Sequence, residues 1–269
     1  MDLFIIKLLL SAVVGGSYAA IVTWISEKFG AKLGGLLLGL PSTSLVSLIF
    51  IAWTQNANVA IEAVHIIPAA VCAASLFVVA FIQLYKRFGA KFSFLLSFLF
   101  WSLLTLPLIA IHLSNIVLSV GIGFVYISVA FYAVRDYPDK KAKILKINGK
   151  ILFTRGILSG TIICLAVVLS KVLGPLWGGL MGSFPAIFTS SLIILMRAHG
   201  IEFTSSVVKR MPYGNFTNIF FALGFYFFVP SFGMVAGTAL AYACTIIIAG
   251  IMYFAVFPFF EFMSGYQNL

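Results

Sequence analysis

From Leu3 to Phe257 the chain reads as a succession of apolar runs, most of them close to the ~20 residues a helix needs to cross a bilayer, separated by short polar or basic gaps. Nine runs can be drawn, at about 3–25, 33–53, 66–85, 93–112, 115–134, 153–173, 177–196, 212–230 and 232–257. A water-soluble fold would have to hide nearly all of them. With 62% hydrophobic and 9% charged residues, there is too little polar surface to do so. The expected fold class is an all-α polytopic membrane protein with about nine transmembrane helices. The tightest turns are expected at His112–Asn115 and Val229–Gly233, where almost no polar linker separates two runs.

Charge supplies a check on that count. With nine spans, the gaps on one side hold fifteen of the seventeen Lys and Arg residues, leaving only Lys7 and Lys171 on the other. Basic residues stay in the cytoplasm, so the amino terminus is expected outside and the carboxyl terminus inside a prokaryotic cytoplasmic membrane. The first run follows Met1-Asp2 with no basic n-region and is longer than the apolar stretch of a signal peptide, so it is expected to be retained. The net charge of +10 is dispersed among gaps rather than gathered on one face, which argues against a nucleic-acid partner.

The chain also matches itself. Residues 26–49 lie on residues 170–193 without a gap, nine of the 24 positions being identical, among them Gly30/Gly174, Gly34/Gly178, Gly35/Gly179, Pro41/Pro185 and Ser47/Ser191. The same shift of 144 superposes Gly16 on Gly160, Pro68 on Pro212, Phe77 on Phe221, Phe81 on Phe225 and Phe88-Gly89 on Phe232-Gly233. Apolar composition alone would not keep Gly and Pro in register. Each half then holds four spans, 1–113 and 152–269, with a connector span and basic loop over 114–151. The connector makes the number of crossings between equivalent points odd, so the repeats are expected to have inverted topology. In this the chain resembles the architectural class of inverted-repeat secondary transporters, which implies alternating access about an axis in the membrane plane.

The most specific local pattern is Gly34-Gly35-Leu-Leu-Leu-Gly39-Leu-Pro41-Ser42-Thr43-Ser44-Leu-Val-Ser47, matched by Gly178-Gly179-Leu-Met-Gly182-Ser183-Phe-Pro185-Ala-Ile-Phe-Thr189-Ser190-Ser191. Proline removes a helix donor and clashes with the preceding turn, so both spans are expected to break near the midplane, with proline as the first residue of a new half-helix. A helix that starts inside the membrane has unpaired N–H groups and a partial positive charge, and here hydroxyls stand in its first turns. Gly39, Pro41, Ser42, Thr43, Ser44, Ser47, Gly182, Ser183, Pro185, Thr189, Ser190 and Ser191 are therefore the candidate substrate-binding residues. A competing reading makes Gly35-x-x-x-Gly39 and Gly178-x-x-x-Gly182 helix-packing patterns and bonds the hydroxyls to their own helices.

All seven acids lie at termini, in gaps or near span ends, which disfavours a carrier using buried carboxylates for cations or protons. His65, His112 and His199 are scattered near interfaces and Cys72, Cys164 and Cys244 lack paired spacing, so no metal or cofactor is expected. No enzyme motif is visible. Lys7 and Arg155 are expected to extend to the interface, and Asn215, Asn218 and Gln83 to form interhelical hydrogen bonds, with reach into a central cavity as the alternative. The basic segment Lys140–Lys150 could meet anionic lipid head groups. The function expected is secondary transport or facilitation of a small polar or anionic solute by a chain embedded in membrane lipid, monomeric or as a homo-oligomer. Passive conduction, and a lipid-handling or assembly role without solute transport, are the alternatives.

Overall fold

The computed structural model describes residues 3–28, 36–138 and 149–256. Among them there is no strand. The helices are α1 (Leu3–Lys28), α2 (Ser42–Thr54), α3 (Ala57–Val64), α4 (Ile67–Ala110), α5 (Ile116–Val134), α6 (Gly149–Leu173), α7 (Pro175–Gly182), α8 (Ala186–Val208) and α9 (Met211–Ile251), the last running into a π-helical turn, Met252–Val256. Six helical stretches among the described residues are long and apolar enough to cross a membrane.

Two of these stretches fold back on themselves. In α4 the backbone leaves the helical region at Gly89 (φ 67°, ψ 178°), and in α9 at Gly233 (φ 77°, ψ 171°), conformations that are essentially confined to glycine. Across Gly89 the rings of Phe81 and Phe94 stand 4.2 Å apart, and Trp101 Nε1 donates to the Ala70 carbonyl at 3.3 Å. An unbroken helix would separate residues 70 and 101 by about 46 Å. The same holds across Gly233, where Gly224 packs on Ala241 and the rings of Phe221 and Tyr242 lie 6.5 Å apart. Each stretch is thus a pair of antiparallel helices. The gap expected over 86–92 is helix up to a one-residue pivot, because a glycine at φ > 0 reverses the chain without a linker.

Elsewhere side chains terminate the helices. Asn115 Oδ1 accepts from the N–H groups of Val117 and Leu118, and Asn56 Oδ1 from that of Val59, each satisfying donors that a helix start leaves open. Asn56 begins α3, a short helix in what the sequence reads as a gap. Under the repeat shift its counterpart is Gly200, where α8 bends (φ 73°, ψ −177°) and continues to Val208. The expected span 177–196 is divided between α7 and α8 and is not among the six long apolar stretches.

Element bounds recur at the spacing of the sequence repeat. Ser42 and Ala186 begin α2 and α8, Ile67 and Met211 begin α4 and α9, and Gly89 and Gly233 pivot the two hairpins, each pair related by the same shift. Phe77, Phe81, Phe221 and Phe225, two repeat-related pairs, are the largest fully buried side chains. Where α1 meets α6, a Cβ on Gly16 would collide with the Gly156 carbonyl, and one on Gly160 with that of Ala12. These contacts are reciprocal under the repeat shift, since Gly156 corresponds to Ala12 and Gly160 to Gly16. Advancing along α6 from 156 to 160 means retreating along α1 from 16 to 12, so the two helices run antiparallel. Lipid tails are as apolar as side chains, so close backbone approach at small residues, rather than hydrophobic burial, holds this contact.

The two sparsely basic positions share one end of the molecule. Lys7 Nζ donates to the Trp53 carbonyl at 2.7 Å, and Lys171 Nζ stands 3.7 Å from the centre of the Phe4 ring. Arg155, expected to reach out to the interface, is instead buried at 3% exposure, on the face of α6 that one turn later buries Ser159, while Phe153 and Ile157 on the other face are exposed. Residues 140–146 of the basic loop lie outside the described residues, and Lys150 is exposed at the start of α6. Gly34 and Gly35 likewise lie outside them.

Candidate functional site

Both proline elements break their helices. In the first half a helical turn over 36–38 is closed by the Gly39 and Leu40 N–H groups donating to the Leu36 and Leu37 carbonyls at 3.1 and 3.2 Å. Pro41 (φ −72°, ψ 56°) then precedes Ser42, which begins α2. In the second half α7 ends at Gly182, Ser183 and Phe184 turn back to bond its last carbonyls, and Pro185 (φ −75°, ψ 45°) precedes Ala186, the start of α8. Each proline is the capping residue rather than the first helical one, a shift of a single position. Proline has no side chain that accepts a hydrogen bond, and neither helix start carries a side-chain cap.

The two breaks meet. Ser44 Oγ donates to the Gly182 carbonyl at 3.1 Å, a bond between segments 138 residues apart. Between them is a cavity of about 30 Å³, room for roughly two waters. Its wall is made largely of repeat-equivalent positions from the two halves. Gly39 and Ser183, Leu40 and Phe184, and Pro41 and Pro185 face it from the breaks. Ser44 and Phe188 face it from α2 and α8, and Val71, Asn215, Ala74 and Asn218 from α4 and α9. Each pair, Val71 with Asn215 and Ala74 with Asn218 included, is superposed by the repeat shift. Leu38, Ser42 and Thr43 complete the lining.

The chemistry of the wall is less symmetric than its geometry. In the register of the repeat, Ser42-Thr43-Ser44 corresponds to Ala186-Ile187-Phe188, and Thr189-Ser190-Ser191 falls a turn further along α8. Ser42, Thr43 and Ser44 line the cavity; Thr189 and Ser191 do not. Thr189 Oγ1 donates to the Pro185 carbonyl of its own helix at 2.8 Å, and Ser183 Oγ to that of Gly179 at 2.9 Å, as the packing reading anticipates. The Ser190 side chain lies outside what is described. Ser47 and Gly182 sit behind the wall in contact with one another.

Asn215 and Asn218 line the cavity and also make the interhelical hydrogen bonds expected of them, whereas Gln83 is exposed near the Gly89 pivot. Asn218 Nδ2 donates to the Gly39 carbonyl at 2.5 Å and Asn215 Nδ2 to Ser75 Oγ at 2.8 Å, tying α9 to the first break and to α4. A Cβ on Gly39 would stand 2.6 Å from Gly214 Cα, so the first break touches α9 backbone to backbone. The apolar wall, Leu38, Leu40, Val71, Ala74, Phe184 and Phe188, has no motif of its own. The repeat shift would have named Val71 and Ala74, as the partners of Asn215 and Asn218.

All-helical structure with six long apolar stretches makes this an integral membrane protein. Comparison with known proteins finds no family model, no curated protein and no solved structure that the chain matches.

Proposed function

We propose that the chain is a secondary carrier for a small polar or anionic solute, made of two inverted four-helix repeats joined by α5. The repeats would cross the membrane nine times, with the amino terminus outside, the carboxyl terminus inside and both broken helices at midplane. The observation that carries this reading is the cavity walled by equivalent residues of both halves at two helix breaks. The antiparallel, reciprocal α1–α6 contact and the paired glycine pivots support the inversion. An arrangement of two related halves around one small polar cavity can open to either side by rocking one half against the other, with the solute position unchanged. At about 30 Å³, the cavity fits an occluded state better than a channel.

The test is flux into proteoliposomes with small anions, sugars, amino acids and nucleobases as solutes. A carrier gives saturable uptake that is accelerated by solute on the far side. Unsaturable flux without such counterflow would select passive conduction. Replacing Ser42 and Thr43 together by alanine, with the Ser44–Gly182 bond left in place, should weaken solute affinity, about tenfold per 1.4 kcal/mol lost, with little change in unfolding temperature. A destabilised protein with unchanged affinity would return these hydroxyls to packing.

A further inference from the structure

At the two breaks most of the closing carbonyls are engaged, and neither of the helix starts that follow has a side-chain cap. The closing carbonyls of α7 are all engaged: Gly179 and Leu180 by the Ser183 N–H, Met181 by that of Phe184, and Gly182 by Ser44 Oγ. In the first half the carbonyls of Leu36, Leu37 and Leu40 accept from Gly39, Leu40 and Ser42, and that of Gly39 from Asn218. The starts of α2 and α8, by contrast, have no side-chain cap. Ser42, only 3% exposed, lines the cavity, and its hydroxyl has no hydrogen-bond partner among the described residues.

Charge narrows the ligand further. Each helix start carries the equivalent of roughly half a positive charge, offset in part by the C-terminal end of α7 at the same break, so the pair matches at most about one negative charge. No Lys, Arg, His, Asp or Glu among the described residues lines the cavity to alter that balance. A dianion would leave a charge unmatched in a low-dielectric site. Leu40, Val71, Ala74, Phe184 and Phe188 give the wall an apolar share beside the Asn215 and Asn218 amides, and a ligand that is polar all round would lose hydration against them without replacement.

Resting on the carrier reading, we propose that the site takes a short-chain monocarboxylate, its carboxylate toward Ser42 and the start of α2 and its alkyl group toward Phe184 and Phe188. Equilibrium binding to the purified full chain, with acetate, propionate, acetamide, nitrate and sulfate as probes, tests this. Acetate and propionate should saturate the site, acetamide and nitrate should bind at least tenfold more weakly, and sulfate should not compete. Ser42→Ala should lower acetate affinity about tenfold at unchanged unfolding temperature, and Ser42→Thr, which keeps the hydroxyl, should restore it. Acetamide equal to acetate would overturn the charge argument, and nitrate equal to propionate the alkyl argument. Absence of carboxylate binding, or an unaffected Ser42→Ala variant, would overturn the assignment outright. The carrier reading is read separately: carboxylate binding without counterflow would sink it alone, and counterflow of some other solute would keep it while the monocarboxylate assignment fell.

Discussion

Ser47 and Ser191 occupy equivalent positions and share an unusual condition. Both are buried, at 1% and 0% exposure, and neither hydroxyl has a hydrogen-bond partner among the described residues. Many helical hydroxyls elsewhere donate to the carbonyl four residues back, as Thr105, Thr204 and Thr245 do at 2.8–2.9 Å, while Ser97 and Thr238 share the unpartnered condition. An unsatisfied buried hydroxyl costs about 1–3 kcal/mol, so Ser47→Ala and Ser191→Ala should each raise stability, by about 1 kcal/mol after the lost packing is counted. Thermal unfolding in one detergent measures it, and a drop of similar size would mean that these hydroxyls are satisfied after all. If solute flux falls in the same variants while stability rises, the hydroxyls find their partners in another state of the transport cycle.

The hairpin pivots turn on backbone conformation rather than on space. Nothing lies within 4 Å of a Cβ built on Gly89 or Gly233, so any penalty for substitution there comes from the positive φ alone. Gly89→Ala and Gly233→Ala should each destabilise by about 1–3 kcal/mol. Gly121, with equally open surroundings but an ordinary place inside α5, supplies the control. There alanine should be neutral or stabilising by up to about 1 kcal/mol, the intrinsic helix preference. Equal responses at all three sites, read by thermal unfolding, would refute the pivot. Gly39 and Gly214 are the opposite case, since their backbones touch and an added methyl has nowhere to go.

For the whole molecule, the proposed orientation rests on the fifteen-to-two division of basic residues, together with the placing of Lys7 and Lys171 at the same end of the helices. Single cysteines introduced between Gln55 and Glu62, in a chain freed of Cys72, Cys164 and Cys244, should react with an impermeant reagent from outside intact cells. Those between Lys140 and Lys150 should react only after the membrane is opened. Labelling of both segments from the same side would undo the inverted arrangement.

Local backbone chemistry was legible in the sequence. Proline lacks an amide hydrogen wherever it stands, and glycine alone readily tolerates a positive φ, so the breaks at Pro41 and Pro185 could be read from the chain. The turn at Gly233 could be read in the same way, and the repeat shift tied Gly233 to Gly89. Which faces meet could not be read. In a soluble helix a polar stripe marks the outside, but in lipid both faces are apolar, and periodicity does not tell Phe188, at the cavity, from Phe153, 70% exposed. The sequence by itself determined the membrane-embedded helices, the repeat and the two breaks. Only the tertiary structure decided that Ser44 bonds Gly182, that Ser42 rather than Ser191 faces the cavity, and that α9 closes it with Asn215 and Asn218, because these contacts join segments from opposite halves of the chain whose pairing leaves no local trace.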